Sequence, residues 1–80
     1  MNTGEIDDRV RSVLGEIFDL EPAQVGPDTS TDTVEKWDSL QHLTLVLALE
    51  EEFDVQFADE ETVSLVTFPL IVATLQEHLG

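Results

Sequence analysis

The stretch from Ser39 to Glu52 contains no glycine and no proline, and each of its residues tolerates a helix. Wound at about 100° per residue, such a helix carries two apolar stripes. Leu45, Val46, Leu49 and Phe53 share one arc, with His42 inside it; Leu40, Leu43 and Leu47 share another, beside Glu50 and Glu51. One stripe can face a core. In a chain of 80 residues the second has few partners left. An aliphatic stripe rimmed by acids is expected to bind protein, unless a loop folds over it.

The flanks supply the rest of a helical bundle. Ile6, Val10, Val13, Leu14 and Ile17 recur at the spacing of one helix face. Thr3 is the expected N-cap, with Glu5, Asp7 and Asp8 suited to the positive end, and the helix should stop near Phe18, ahead of Pro22. From Asp19 to Asp38 no helical period appears; Pro22, Gly26, Pro27 and a polar run from Asp28 to Thr33 mark a loop. So long a loop is uncommon in a small domain unless it is packed, and Leu20, Val25, Val34 and Trp37 can pin it to the body. After a short extended link from Asp54 to Phe57, Asp59 can cap a brief helix running to about Leu65. Thr67 can cap a last one with Pro69 in its first turn. Leu70, Ile71, Thr74, Leu75, His78 and Leu79 give that helix its period, and Gly80 should end it. The expected fold is all-α: one domain over residues 1–80, built as a small bundle of three principal helices plus one short helix, with a long loop after the first.

Charge narrows the partners. Asp and Glu number 18 against Arg9, Arg11 and Lys36, a formal charge of −15. Nucleic acid and anionic membranes both call for clustered Lys and Arg, so neither is an expected partner. A basic protein surface is. The chain is expected to be monomeric. It has no cysteine, so no disulfide and no thiolate zinc site can brace it. Its longest unbroken apolar stretch, Leu45 to Leu49, is far too short to span a bilayer, and its first ten residues lack the apolar core of a signal peptide. A cytoplasmic location is the expectation.

Ser39 stands at the head of the central helix, after Asp38. A hydroxyl there is exposed, and the first-turn N–H groups make an anion site beside it, a place suited to a phosphate, bound or covalent. The alternative is that Ser39 merely caps the helix, with Asp38 competing for that role. Nucleophilic catalysis needs a base, an orienting acid and oxyanion donors. His42 points toward the core arc and no glycine-rich elbow surrounds Ser39, so no catalytic residue is expected. The run beginning at Asp28 fails as a calcium loop, because Thr33 stands where glycine is required and Ser39 where a bidentate Glu is required. His42 and His78 lack a ligand cluster; no metal site is expected, and packed or solvated roles are expected for both. Trp37 should anchor the loop.

Asp38-Ser39-Leu40, the helix behind it through Ala48, Leu49, Glu50, Glu51, Glu52 and Phe53, the long loop, the acidic third helix and the Thr-capped last helix together resemble acyl carrier proteins. That resemblance implies that Ser39 accepts a 4′-phosphopantetheine arm from coenzyme A through a phosphopantetheinyl transferase, and that the arm carries acyl groups as thioesters. It implies that Asp38 helps to position the serine and a divalent cation, with Leu40 completing the motif. It also implies that Leu43, Leu47, Glu50 and Glu51 dock on basic surfaces of an acyl-loading enzyme, ketosynthase or acyltransferase. Fatty-acid carriers usually have Gly-Ala before the triplet and Asp-Thr-Val-Glu after it. Here Lys36 and Trp37 precede it and Gln41, His42, Leu43 and Thr44 follow, so two docking acids are missing. The departures imply a specialised pathway, such as polyketide, lipid or other secondary-metabolite synthesis. The alternative is an acidic helical adaptor that uses the same leucine stripe and leaves Ser39 unmodified.

Overall fold

A computed structural model describes residues 2–79, the Pro22 side chain excepted. Four helices follow one another: α1 (Thr3–Phe18), α2 (Ser39–Phe53), α3 (Asp59–Thr62) and α4 (Phe68–Leu79). The architecture is the expected all-α bundle, with α1 packed against both α2 and α4. The core lies between these three. Ile6, Val10, Leu14 and Phe18 face Leu45, Leu49 and Phe53 from α2 and Phe68, Ile71 and Leu75 from α4.

Helix ends carry most of the differences from expectation. The N-cap of α1 is Asn2, whose side chain accepts from the Glu5 N–H at 2.9 Å, so Thr3 is the first helical residue rather than the cap. Both α1 and α2 stop at an aspartate in the left-handed region, Asp19 (φ 56°) and Asp54 (φ 53°), a conformation Asp tolerates better than most residues. α2 runs one residue past Glu52. Helix α3 is a single turn that begins after Ala58 and ends at Thr62, short of Leu65. Ala58 has no side-chain acceptor to offer, but the Glu61 carboxylate returns to the Ala58 N–H at 2.8 Å, one half of a capping box. Asp59, expected as the cap, is instead the first helical residue, where its charge suits the helix dipole. Thr67 caps α4 as expected, accepting from Leu70 at 3.2 Å. Leu70, counted in the apolar period of that helix, is exposed. Gly80, expected to end it, lies outside the described residues.

The long loop is packed. One turn of 3₁₀ helix, Pro22–Gln24, is its only helical piece among the described residues. Val25, Val34 and Trp37 are buried and Leu20 partly so. Backbone bonds tie it to the start of α4: Phe68 N–H to Thr29 O at 2.9 Å and Thr31 N–H to Val66 O at 3.1 Å. Arg11 clamps α1 to this region through a bond to the Val25 carbonyl and a seat over the Phe68 ring, while an ion pair with Asp7 one turn earlier in α1 holds its side chain. Gly15 lets the chain double back after α1. A Cβ there would sit 2.7 Å from the Leu20 carbonyl oxygen, a backbone atom that cannot swing away.

Each of the three basic residues pairs with an acid: Arg9 with Glu52, Arg11 with Asp7, Lys36 with Asp19. Most of the 18 acids therefore repel one another without compensation. Salt screens such repulsion, and cations that prefer the folded form add mass-action stabilisation. Thermal melts at neutral pH are expected to move upward by roughly 5 °C or more on adding 0.15 M salt or millimolar magnesium, since about 1 kcal/mol is worth 4–8 °C in a domain of this size. Flat melting temperatures in both titrations would show that charge repulsion is not a significant term.

Candidate functional site

The site begins with the capping of α2. Asp38 is extended (φ −98°, ψ −175°), and its Oδ1 accepts from the Gln41 N–H at 2.9 Å while its carbonyl accepts from His42 N–H at 2.8 Å. A cap of this kind contributes about 1 kcal/mol. Asp38 thus takes the capping role and leaves Ser39, the first helical residue, exposed. Among the described residues none takes up the Ser39 hydroxyl, nor the Ser39 and Leu40 N–H groups. A phosphoester at this oxygen would meet free N–H groups and the positive end of a fifteen-residue helix.

An open groove of about 680 Å³ runs from this point between α2 and the turn after α3. Trp37, Asp38, Ser39, His42 and Leu43 line one side; Thr62, Val63 and Val66 line the other, with Thr31 contributed by the loop. Trp37 stacks on Phe18 with ring centroids 5.1 Å apart, which anchors the loop as expected. It also donates its Nε1–H to His42 Nδ1 at 3.1 Å, and His42 Nε2 lies 2.7 Å from the Thr62 carbonyl. His42 is therefore packed and hydrogen-bonded at both ring nitrogens, which rules it out as a base for Ser39. His78 approaches both Glu61 carboxylate oxygens at 3.0 Å and sets its edge against Phe57. The Ala58 N–H, then His78, hold the Glu61 carboxyl below the usual carboxylate range.

The two stripes of α2 separate in the structure. Leu45, Val46, Leu49 and Phe53 are buried, whereas Leu40, Leu43 and Leu47 are 62–71% exposed. The loop does not cover the second stripe. Glu51 is exposed beside it. Glu50 is half-buried, and one of its oxygens accepts from the Phe57 N–H at 2.8 Å, which fixes the link into α3. Val63, 72% exposed across the groove from Leu43, extends the apolar surface onto a second element. Sequence reasoning missed it; the available signal was a lone valine after an acidic turn, which no periodicity marks.

Comparison with known proteins adds the family context. The family model described as the phosphopantetheine attachment site matches residues 8–75. The chain is 37% identical over 67 residues to an acyl carrier protein of Thermosynechococcus vestitus, covering 84% of this chain and 83% of that protein. Against an acyl carrier protein of Cyanidioschyzon merolae it is 32% identical over 78 residues, covering 98% and 86%. Among solved structures, the acyl carrier protein from Enterococcus faecalis matches with a TM-score of 0.78 at 26% identity, over 96% of this chain and 98% of that one.

Proposed function

Because the chain belongs to the acyl carrier proteins, a family of phosphopantetheine-bearing carriers rather than catalysts, we propose that Ser39 is its attachment point and that it serves a specialised pathway. The observation that carries the first part is the unengaged Ser39 hydroxyl at the start of α2, freed by the Asp38 cap. In this reading Ser39 Oγ attacks the pantetheine-side phosphorus of coenzyme A and gives its proton to a base of the transferase; the pyrophosphate P–O bond breaks and adenosine 3′,5′-bisphosphate leaves, while Asp38 keeps one carboxylate oxygen on Gln41 and has the other for a divalent cation. The attached group supplies a thiol that holds acyl groups as thioesters. The single domain, residues 1–80, acts as a cytoplasmic monomer; no helix among the described residues is long and apolar enough to cross a membrane.

Leu40, Leu43 and Leu47 form the apolar part of the docking face, with Glu51 for steering and Glu50 at its edge. Partners are a phosphopantetheinyl transferase and biosynthetic enzymes: an acyl-loading enzyme, ketosynthase or acyltransferase with basic surfaces. Incubation with coenzyme A and a broad-specificity transferase, followed by intact-mass measurement, tests the reading. One phosphopantetheine per chain is expected. An unchanged mass beside a working control carrier would leave the unmodified acidic adaptor as the better account.

The specialised pathway rests on Gln41 and Thr44, which stand where fatty-acid carriers present acids. Each missing surface charge pair is worth about 0–1 kcal/mol, so one alone weakens binding slightly. Together they are worth up to about 2 kcal/mol, a shift in affinity of up to roughly thirtyfold, since about 1.4 kcal/mol is a factor of ten. A fatty-acid ketosynthase should turn over the loaded protein poorly, and Gln41→Asp with Thr44→Glu should recover several-fold. Turnover already equal to that of a fatty-acid carrier would overturn the assignment; no gain in the double variant would place specificity elsewhere.

A further inference from the structure

Helix α3 forms part of the groove wall, yet it buries none of its own side chains. The residue after it, Val63, is exposed, and burial resumes only at Leu65. Polar contacts must then decide where this wall stands, and segments held that way belong to the low-stability end of a structure. One such contact sits beside Ser39. The Thr62 carbonyl can only accept, so His42 Nε2 must carry the proton that bridges their 2.7 Å separation. A neutral imidazole then offers Nδ1 as an acceptor, and the Trp37 indole N–H, 3.1 Å away, fills it. Trp37 is in turn fixed by stacking on Phe18 of α1.

We propose that His42 is a positioning residue that braces the α3 wall of the groove at a set distance from α2. Its two ring nitrogens make one continuous strut from the loop, through α2, to the last residue of α3. Trp37 selects the tautomer, and the tautomer makes the bond to Thr62. From the other side, His78 holds Glu61, so loss of His42 releases the Thr62 end rather than all of α3. The geometry stands without any attached group; its consequence, a groove of fixed width beside the arm, rests on the carrier reading.

Amide hydrogen exchange of the unloaded protein tests the strut. The informative amides are Ser64, bonded to Glu61 O, and Leu65, bonded to Thr62 O, with Val10 and Leu14 in α1 as references. His42→Leu removes both hydrogen bonds and is expected to speed exchange at Ser64 and Leu65 about five- to tenfold relative to α1, the effect of losing a hydrogen bond of ordinary strength. His42→Gln keeps a donor long enough to reach Thr62 and should restore most of the protection. Trp37→Phe keeps the stacking but removes the indole N–H, and should loosen the same amides; combined with His42→Leu it should add little, because the two act as one unit. Unchanged exchange in His42→Leu overturns the proposal, as does equal loosening by leucine and glutamine, which would make ring packing the cause. Should the leucine variant fail to fold, the glutamine and Trp37→Phe variants decide the matter on the same terms: protected Ser64 and Leu65 in the first and loosened in the second uphold it, and any other pair overturns it. None of these readings uses Ser39, so a failed strut and a failed attachment site are told apart.

Discussion

Replacing Ser39 with alanine is expected to abolish phosphopantetheine loading while leaving the fold intact. The chain has four serines, and the structure distinguishes them. The Ser12 hydroxyl donates back to the Asp8 carbonyl in α1, and Ser64 donates to the Glu60 carbonyl. Ser30 Oγ accepts from the Asp32 N–H, and its backbone bridges to Thr67. Ser39 alone among them combines an unengaged hydroxyl with the start of a long helix. Because Asp38 does the capping, the alanine variant loses no hydrogen bond, and its stability should stay within about 0.5 kcal/mol of the parent. Mass spectrometry with coenzyme A and transferase should then show one added group on the parent and none on the variant, with superimposable melts. A loaded alanine variant would mean that another serine is the acceptor. Asp38→Ala is a useful contrast: it removes about 1 kcal/mol of cap stabilisation and should slow loading without preventing it.

The second large effect separates the two stripes of α2. Leu49 is fully buried, and truncating it to alanine should cost about 3 kcal/mol through lost transfer energy and the cavity left behind. For 80 residues the whole stability is only about 4–12 kcal/mol, so the melting temperature should fall by roughly 10–20 °C. Leu47, two positions earlier and 64% exposed, should behave oppositely. Leu47→Ala leaves the melt within a few degrees, because alanine is the better helix former and little burial is lost. Its effect should appear in transfer to a partner enzyme, as a several-fold rise in KM. A Leu47 variant that is both stable and fully competent in transfer would remove the leucine stripe from the docking face; a Leu49 variant as stable as the parent would contradict the core described above.

Much of this was legible in one dimension. Helix periods are local, and the alternation of apolar residues along Ile6 to Ile17 and Ser39 to Phe53 placed both long helices to within a residue or two. The two arcs of α2 followed from the same arithmetic, so the exposure of Leu40, Leu43 and Leu47 was foreseeable from spacing once the chain was seen to be too small to cover both. Thr67 before Phe68-Pro69 marked a helix start because capping is a contact over three residues.

Contacts between distant segments left no such trace. Glu50 read as a free docking acid until the fold brought the Phe57 N–H to it. Arg11 gathers Asp7, the Val25 carbonyl and the Phe68 ring from three parts of the chain, and Gly15 is needed because Leu20 returns against α1. The strut from Trp37 through His42 to Thr62 is of the same kind. The sequence determined that a serine heads a two-striped helix in an acidic all-α bundle, since periodicity and caps are written within a few residues. The sequence left Asp38 and Ser39 competing as the cap, which the local geometry of the helix start gives to Asp38, and the tertiary structure alone decided which groove lies beside the free hydroxyl. The width of that groove is set by donors and acceptors twenty residues apart (His42 to Thr62), whose pairing no local pattern encodes.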